Sequence, residues 1–137
     1  MNKTIEINPK HVDAYYNIAN AYKQLRNFDD AKANFKEAIK LKPDNAKAYN
    51  NLGNVLKESG KTKEAIVSYK KAIQIQPNHA KAYHNLGNTF KQLGEIKNAA
   101  ASYEKSFKYL PSNLEALDAL STLKEEILDI KLKKKNK

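Results

Sequence analysis

The stretch "AYNNLGNVLKESG", residues 48–60, indicates the architecture because it occurs three times at equal spacing. The chain reads "AYYNIANAYKQLR" at 14–26, 34 residues earlier, and "AYHNLGNTFKQLG" at 82–94, 34 residues later. Apolar residues three and four apart are typical of an amphipathic helix. The prolines repeat the same period, at Pro9, Pro43, Pro77 and Pro111. A period of this length predicts stacked helical units.

Three units of 34 residues follow one another without insertion, at 12–45, 46–79 and 80–113. Each unit carries a second apolar stripe after the quoted helix, so each is predicted to be a helix-turn-helix. Small residues recur where the paired backbones must approach closely. They are Ala19, Gly53 and Gly87 in the first helix and Ala31, Ala65 and Ala99 in the second.

The turn inside each unit is predicted from its glycines. Gly60 and Gly94 end the first helix of the second and third units, as left-handed caps do. The first unit has Arg26 and Asn27 at this point, and we expect Asn27 to adopt the left-handed conformation, which asparagine tolerates.

The two ends of the chain differ from the repeats. Residues 1–11 are predicted to be the tail of a truncated preceding helix, because Ile5 and Ile7 match the columns of a second helix. Such an incomplete end predicts self-association through the N-terminal side. Residues 114–130 are predicted to form an amphipathic capping helix, and residues 131–137 a disordered lysine-rich tail.

The repeated columns resemble the tetratricopeptide repeat family. The shared spacing is aromatic-x2-Leu-Gly-x2-Tyr, then Ala-x3-Phe, then Pro. The resemblance implies an all-α, right-handed solenoid of helix-turn-helix repeats, here with a C-terminal capping helix. It also implies a non-catalytic protein-protein interaction scaffold, whose first helices line a concave groove that binds an extended peptide of another protein.

Asparagines recur in the middle of the first helices, where asparagine is a mediocre helix former. A carboxamide both donates and accepts, so a row of them suits recognition of an extended peptide backbone. Lysines at the edges make the groove mildly basic and favour an acidic peptide. The candidate groove residues are Tyr16, Asn17, Asn20, Lys23, Lys47, Asn50, Asn51, Asn54, Lys57, Lys81, His84, Asn85, Asn88 and Lys91. The alternative is that these asparagines join neighbouring repeats.

Two subfamilies offer a comparison by residue. Chaperone-adaptor repeats hold a carboxylate-terminated peptide in a clamp of lysines and asparagines, to which Asn20, Asn51 and Lys81 correspond. Tyr16 and Asn85 replace the two remaining cations, so the clamp is incomplete. The repeats of O-linked N-acetylglucosamine transferase carry a similar asparagine ladder. An alternative function is therefore the substrate-recognition segment of such a transferase, whose catalytic region is absent here.

The net charge of +10 suggests an acidic partner, but half of it lies in the last seven residues, "KLKKKNK". The only arginine is Arg26, whereas base and phosphate recognition relies on the bidentate arginine fork. We therefore expect no nucleic acid partner. A basic nucleic-acid or membrane-surface binder that uses the tail is kept as a second alternative.

Enzyme activity is not expected. The chain has no cysteine, and His11, His79 and His84 occupy three different columns without a metal-ligand spacing. Neither a phosphate-binding loop nor a nucleophile elbow occurs, so no cofactor is predicted. The sequence shows no transmembrane segment and no secretory signal, and we expect a cytoplasmic or nuclear, intracellular protein.

Overall fold

The computed structural model describes residues 9–136, and the expectations placed on residues 1–8, including Ile5 and Ile7, lie outside them. Within the described residues there are seven α-helices and no strand, which confirms the all-α prediction. The helices are α1 (Pro9–Gln24), α2 (Phe28–Leu41), α3 (Ala46–Glu58), α4 (Thr62–Ile75), α5 (Ala80–Gln92), α6 (Ile96–Tyr109) and α7 (Leu114–Lys135).

The chain divides into two compact units, Met1–Ile75 and Gln76–Lys137. In the first unit α1 packs on α2, α2 on α3, and α3 on α4. In the second unit α5 packs on α6, and α6 on α7. Successive helices in each unit are thus neighbours in space, as in repeat proteins.

The small column lets an aromatic ring lie directly on a helix backbone. A Cβ added to Gly53 would stand 2.6 Å from Cε1 of Tyr69, and one added to Gly87 would stand 2.8 Å from Tyr103. Both tyrosine side chains are fully buried, so the rings have little room to move. This contact offsets the cost of about 1 kcal/mol that a glycine within a helix carries.

The turn between α1 and α2 differs from the expectation, because Arg26, not Asn27, is left-handed, with φ 59°. Gly60 and Gly94 have φ 85° and 78° at the equivalent positions. In the first turn the N–H of Asn27 donates to the carbonyl of Tyr22 at 2.9 Å, the bond that closes a helix C-terminus. The 34-residue register places Arg26 in the glycine column, and the closing bond holds it there.

Three helices, α3, α5 and α7, have a side chain that caps their N-terminus. Asn45, His79 and Asn113 accept the N–H of the third following residue, at distances of 3.1, 3.1 and 3.2 Å. His79 is 8% exposed. His79 is buried because its Nδ1 serves as the cap of α5.

Helix α7 buries Ala116, Leu120 and Leu123, as predicted for the capping helix. It continues to Lys135 instead of ending near residue 130. The expected disorder of the lysine-rich tail is therefore corrected for residues 131–135. Lysine is a good helix former, and lysines in the last turn interact favourably with the helix dipole.

Candidate functional site

The first helix of the first unit carries four of the predicted groove residues. Asn17 is exposed, whereas Tyr16, Asn20 and Lys23 are half-buried. Nδ2 of Asn51, on α3, donates to the hydroxyl of Tyr16 at 2.7 Å. The tyrosine that replaces a clamp cation therefore joins α1 to α3, and one Asn51 donor is already used.

The asparagines near the middle of α3 and α5 are held by tyrosines of the following helix. The hydroxyl of Tyr69 donates to Oδ1 of Asn54 at 2.6 Å, and the hydroxyl of Tyr103 donates to Oδ1 of Asn88. These bonds fix which end of each carboxamide faces the tyrosine. Within the described residues neither Nδ2 makes a hydrogen bond, so each keeps two donors for another acceptor.

The first repeat, residues 12–45, lacks this bond, because Phe35 occupies the tyrosine position. Phe35 is fully buried and packs edge to face with Tyr16, at 5.9 Å between ring centroids. Among the described residues Asn20 therefore has no tyrosine hydroxyl to donate to its Oδ1. In the second and third repeats that hydrogen bond sets the orientation of the carboxamide.

The remaining candidate groove residues of α3 differ in how exposed they are. Asn50 is only 6% exposed, so the structure does not offer it to a ligand, contrary to the sequence interpretation. Lys47 is exposed and Lys57 is half-buried. Because Asn50 is buried, we remove it from the candidate set.

In the third repeat, residues 80–113, Lys81 and Lys91 are exposed, and His84 and Asn85 are half-buried. The ring of His84 lies edge to face with Tyr103, at 5.8 Å between centroids. Its Nδ1 is 3.2 Å from Nδ2 of Asn113, and its Nε2 is 3.8 Å from Oε2 of Glu115. His84 thus contacts the start of α7, and both of its ring nitrogens already have polar neighbours within the protein.

Burial also affects the tyrosine that holds Asn88. Desolvation raises the pKa of the Tyr103 hydroxyl above its usual range. The hydroxyl therefore stays protonated at neutral pH and can donate to Asn88. The pKa of Tyr83 is raised as well, by desolvation and by the neighbouring Tyr109, whose ring stacks on it.

Sequence reasoning missed these tyrosine partners. The signal was present, since the column of Asn20, Asn54 and Asn88 lies 15 residues before the column of Phe35, Tyr69 and Tyr103. An aromatic column is usually interpreted as core packing alone. Its hydroxyls, however, need a partner when they are buried, and the asparagines supply it.

No group of three or more His, Cys, Asp or Glu side chains that could hold a metal occurs between residues 9 and 136. None of the helices described above is both long and apolar enough to cross a membrane.

Comparison with protein families gives four matches, all to tetratricopeptide repeat models. They match residues 12–45, 34–67, 53–94 and 80–113. Two of these matches have the bounds predicted above for the first and third units. A comparison with curated proteins gives no match.

Several solved structures share the fold. The first TPR of Spaghetti (RPAP3), bound to the HSP90 peptide SRMEEVD, is 19% identical with a TM-score of 0.84, over 90% of this chain and 98% of that one. The Arabidopsis OM64 TPR domain is 26% identical with a TM-score of 0.81, over 85% and 97%. The Sgt2 TPR domain from Aspergillus fumigatus is 20% identical with a TM-score of 0.83, over 96% and 87%.

Proposed function

Because the chain belongs to the tetratricopeptide repeat family, we propose that it is a non-catalytic interaction scaffold. Its ligand is an extended, acidic peptide segment of another protein. The peptide is held mainly through its backbone, by polar side chains on the first helices of the repeats.

One observation carries this proposal. Asn54 and Asn88 each have Oδ1 held by a buried tyrosine hydroxyl while Nδ2 makes no hydrogen bond in the described structure. A carboxamide that is fixed in this way is a preorganised donor for a peptide carbonyl, because little rotamer entropy is lost on binding. Backbone recognition tolerates varied side chains, which suits a scaffold.

Charge supports an acidic ligand. Lys47 and Lys57 on α3, and Lys81 and Lys91 on α5, occupy matching positions of their repeats, and three of the four are exposed. Complementary charge would speed the encounter and suppress basic competitors more than it would add affinity.

The clamp of chaperone-adaptor repeats remains incomplete in this chain. Of the residues that correspond to it, Asn51 is bonded to Tyr16, which itself replaces a cation. The similar structure of Spaghetti (RPAP3) has HSP90 peptide bound. We nevertheless expect SRMEEVD to bind this chain weakly, and amidation of its C-terminus to change the affinity little.

Selection from a random peptide library, followed by calorimetry, tests the proposal. Enriched peptides should be acidic and should not require a free C-terminus. Lys57→Ala and Lys91→Ala should each weaken the selected peptides about threefold at low salt, and less at high salt, where charges are screened. Lys63→Ala on α4, which lies outside the candidate set, is the control. No enrichment, or enrichment of basic peptides, would refute the proposal.

The two alternative functions have separate tests. Binding by the basic end of α7 to nucleic acid or anionic vesicles should fall steeply between low and moderate salt. The transferase alternative predicts a glycosyltransferase region in the same reading frame. Both stay predictions.

A further inference from the structure

Helix α1 presents an apolar face to solvent. The face consists of Ala14, Ile18 and Ala21 on α1 and of Leu25, the residue that directly follows the helix, all of them exposed. Ile18 is 46% exposed and Leu25 is 76% exposed, which is high for large apolar side chains. A depression of about 320 Å³ at its start is lined by His11, Ala14, Tyr15 and Ile18. We call the four exposed apolar residues Ala14, Ile18, Ala21 and Leu25 the α1 seam.

The same columns bind a helix elsewhere in the chain. On α3 and α7 the residues equivalent to the first three seam positions are at most 6% exposed. Helix α2 packs on α3, and α6 packs on α7. The buried equivalents are Ala48, Leu52 and Val55 on α3 and Ala116, Leu120 and Leu123 on α7. The α1 seam therefore has the composition and spacing of a helix-binding face.

The seam is complementary to itself. Its residues are spaced by four, three and four, which is the heptad spacing that keeps one face toward a partner helix. In an antiparallel pair centred between residues 19 and 20, Ala14 would lie opposite Leu25 of a second copy, and Ile18 opposite Ala21. Each layer then sets a small side chain against a large one, so the layers interdigitate.

Charge also permits pairing between copies. The residues that flank the seam are uncharged, which matters for a chain of net charge +10 because like charges would repel. The flanking residues are Tyr15, Asn17, Tyr22 and Gln24. One helix face of this length gives an interface below about 1,200 Å², the size that is typical of weak and transient complexes.

We propose that the protein forms a weak, symmetric dimer in which the α1 seams of two copies pack antiparallel. An interface of this size is typical of weak, transient association. The surface is distinct from the tyrosine-held asparagines of α3 and α5, so dimerisation does not depend on the proposed peptide binding.

Sedimentation over a concentration series up to about 1 mM tests the dimer. Ile18→Glu places a charge in the seam and should raise the dissociation constant at least tenfold, without unfolding the chain, because residue 18 is exposed. Val67→Glu is the matched control, since Val67 is an exposed apolar residue on α4, 69% accessible, and should dimerise like the natural chain. A monomer at every concentration, or equal loss in both variants, overturns the proposal.

Cysteine cross-linking tests the orientation, because the chain contains no natural cysteine. Ala14→Cys and Leu25→Cys chains are mixed under mild oxidation. The antiparallel pair brings residue 14 of one copy to residue 25 of the other and separates like positions by about 16 Å along the helix. Mixed disulfides should therefore predominate. Predominance of 14–14 and 25–25 disulfides overturns the antiparallel arrangement.

Discussion

Replacing Asn88 by alanine should destabilise the protein although alanine is the better helix former. The ring of Tyr103 is fully buried and its hydroxyl donates to Oδ1 of Asn88. Without that acceptor the donor is unsatisfied, at a cost of about 1–3 kcal/mol. Alanine has a higher helix propensity than asparagine, which offsets about 0.5 kcal/mol of this cost. We expect a net loss of about 0.5–2.5 kcal/mol in the free energy of unfolding.

Urea unfolding, followed by circular dichroism, measures this loss as a fall of roughly 0.3–1.2 M in the midpoint, for a slope of about 2 kcal/mol per molar. Tyr103→Phe should cost about 1 kcal/mol, and the double variant should cost less than the sum of the two by at least about 0.5 kcal/mol. Asn17→Ala, at an exposed position without this bond, should change stability by less than about 0.5 kcal/mol. Additive effects, or an Asn88→Ala variant as stable as the natural chain, would refute the assigned hydrogen bond.

Three further changes are expected to shift the urea midpoint. Phe35→Tyr gives the first repeat the tyrosine hydroxyl of the other two repeats. If that hydroxyl donates to Asn20, the free energy of unfolding should rise by about 0.5–1 kcal/mol. A loss of stability would contradict the equivalence of the three repeats. Arg26→Gly relieves a left-handed non-glycine residue and should stabilise by about 1 kcal/mol, whereas Arg26→Ala should not. His79→Ala removes the α5 cap and should cost about 1 kcal/mol, while His79→Asn, which copies Asn45, should restore it; equal effects of the two changes would exclude a capping role.

Much of the fold could be predicted from the sequence, because the same local sequence pattern occurs in three successive repeats. Apolar spacing, the proline period and the glycines of the turns are local signals, and each is reinforced by its copies at 34-residue intervals. The helices followed from these signals. The small column was predicted to let two backbones approach, whereas at Gly53 and Gly87 it makes room for a tyrosine ring. The single repeat that departs from the glycine pattern was also the one whose left-handed residue was wrongly placed, at Asn27 instead of Arg26.

The roles of the asparagines depend on contacts between helices, which no local pattern specifies. The sequence marked Asn50, Asn51 and Asn54 as equally outward-facing. The structure buries Asn50, joins Asn51 to a residue 35 positions away, and holds Asn54 through a tyrosine 15 positions away. A hydrogen bond requires its two atoms within about 3 Å, so small differences in how two helices rotate and approach select which carboxamides serve the fold. The period therefore established which residues recur, and the packing of helix on helix established which of them keep a free donor.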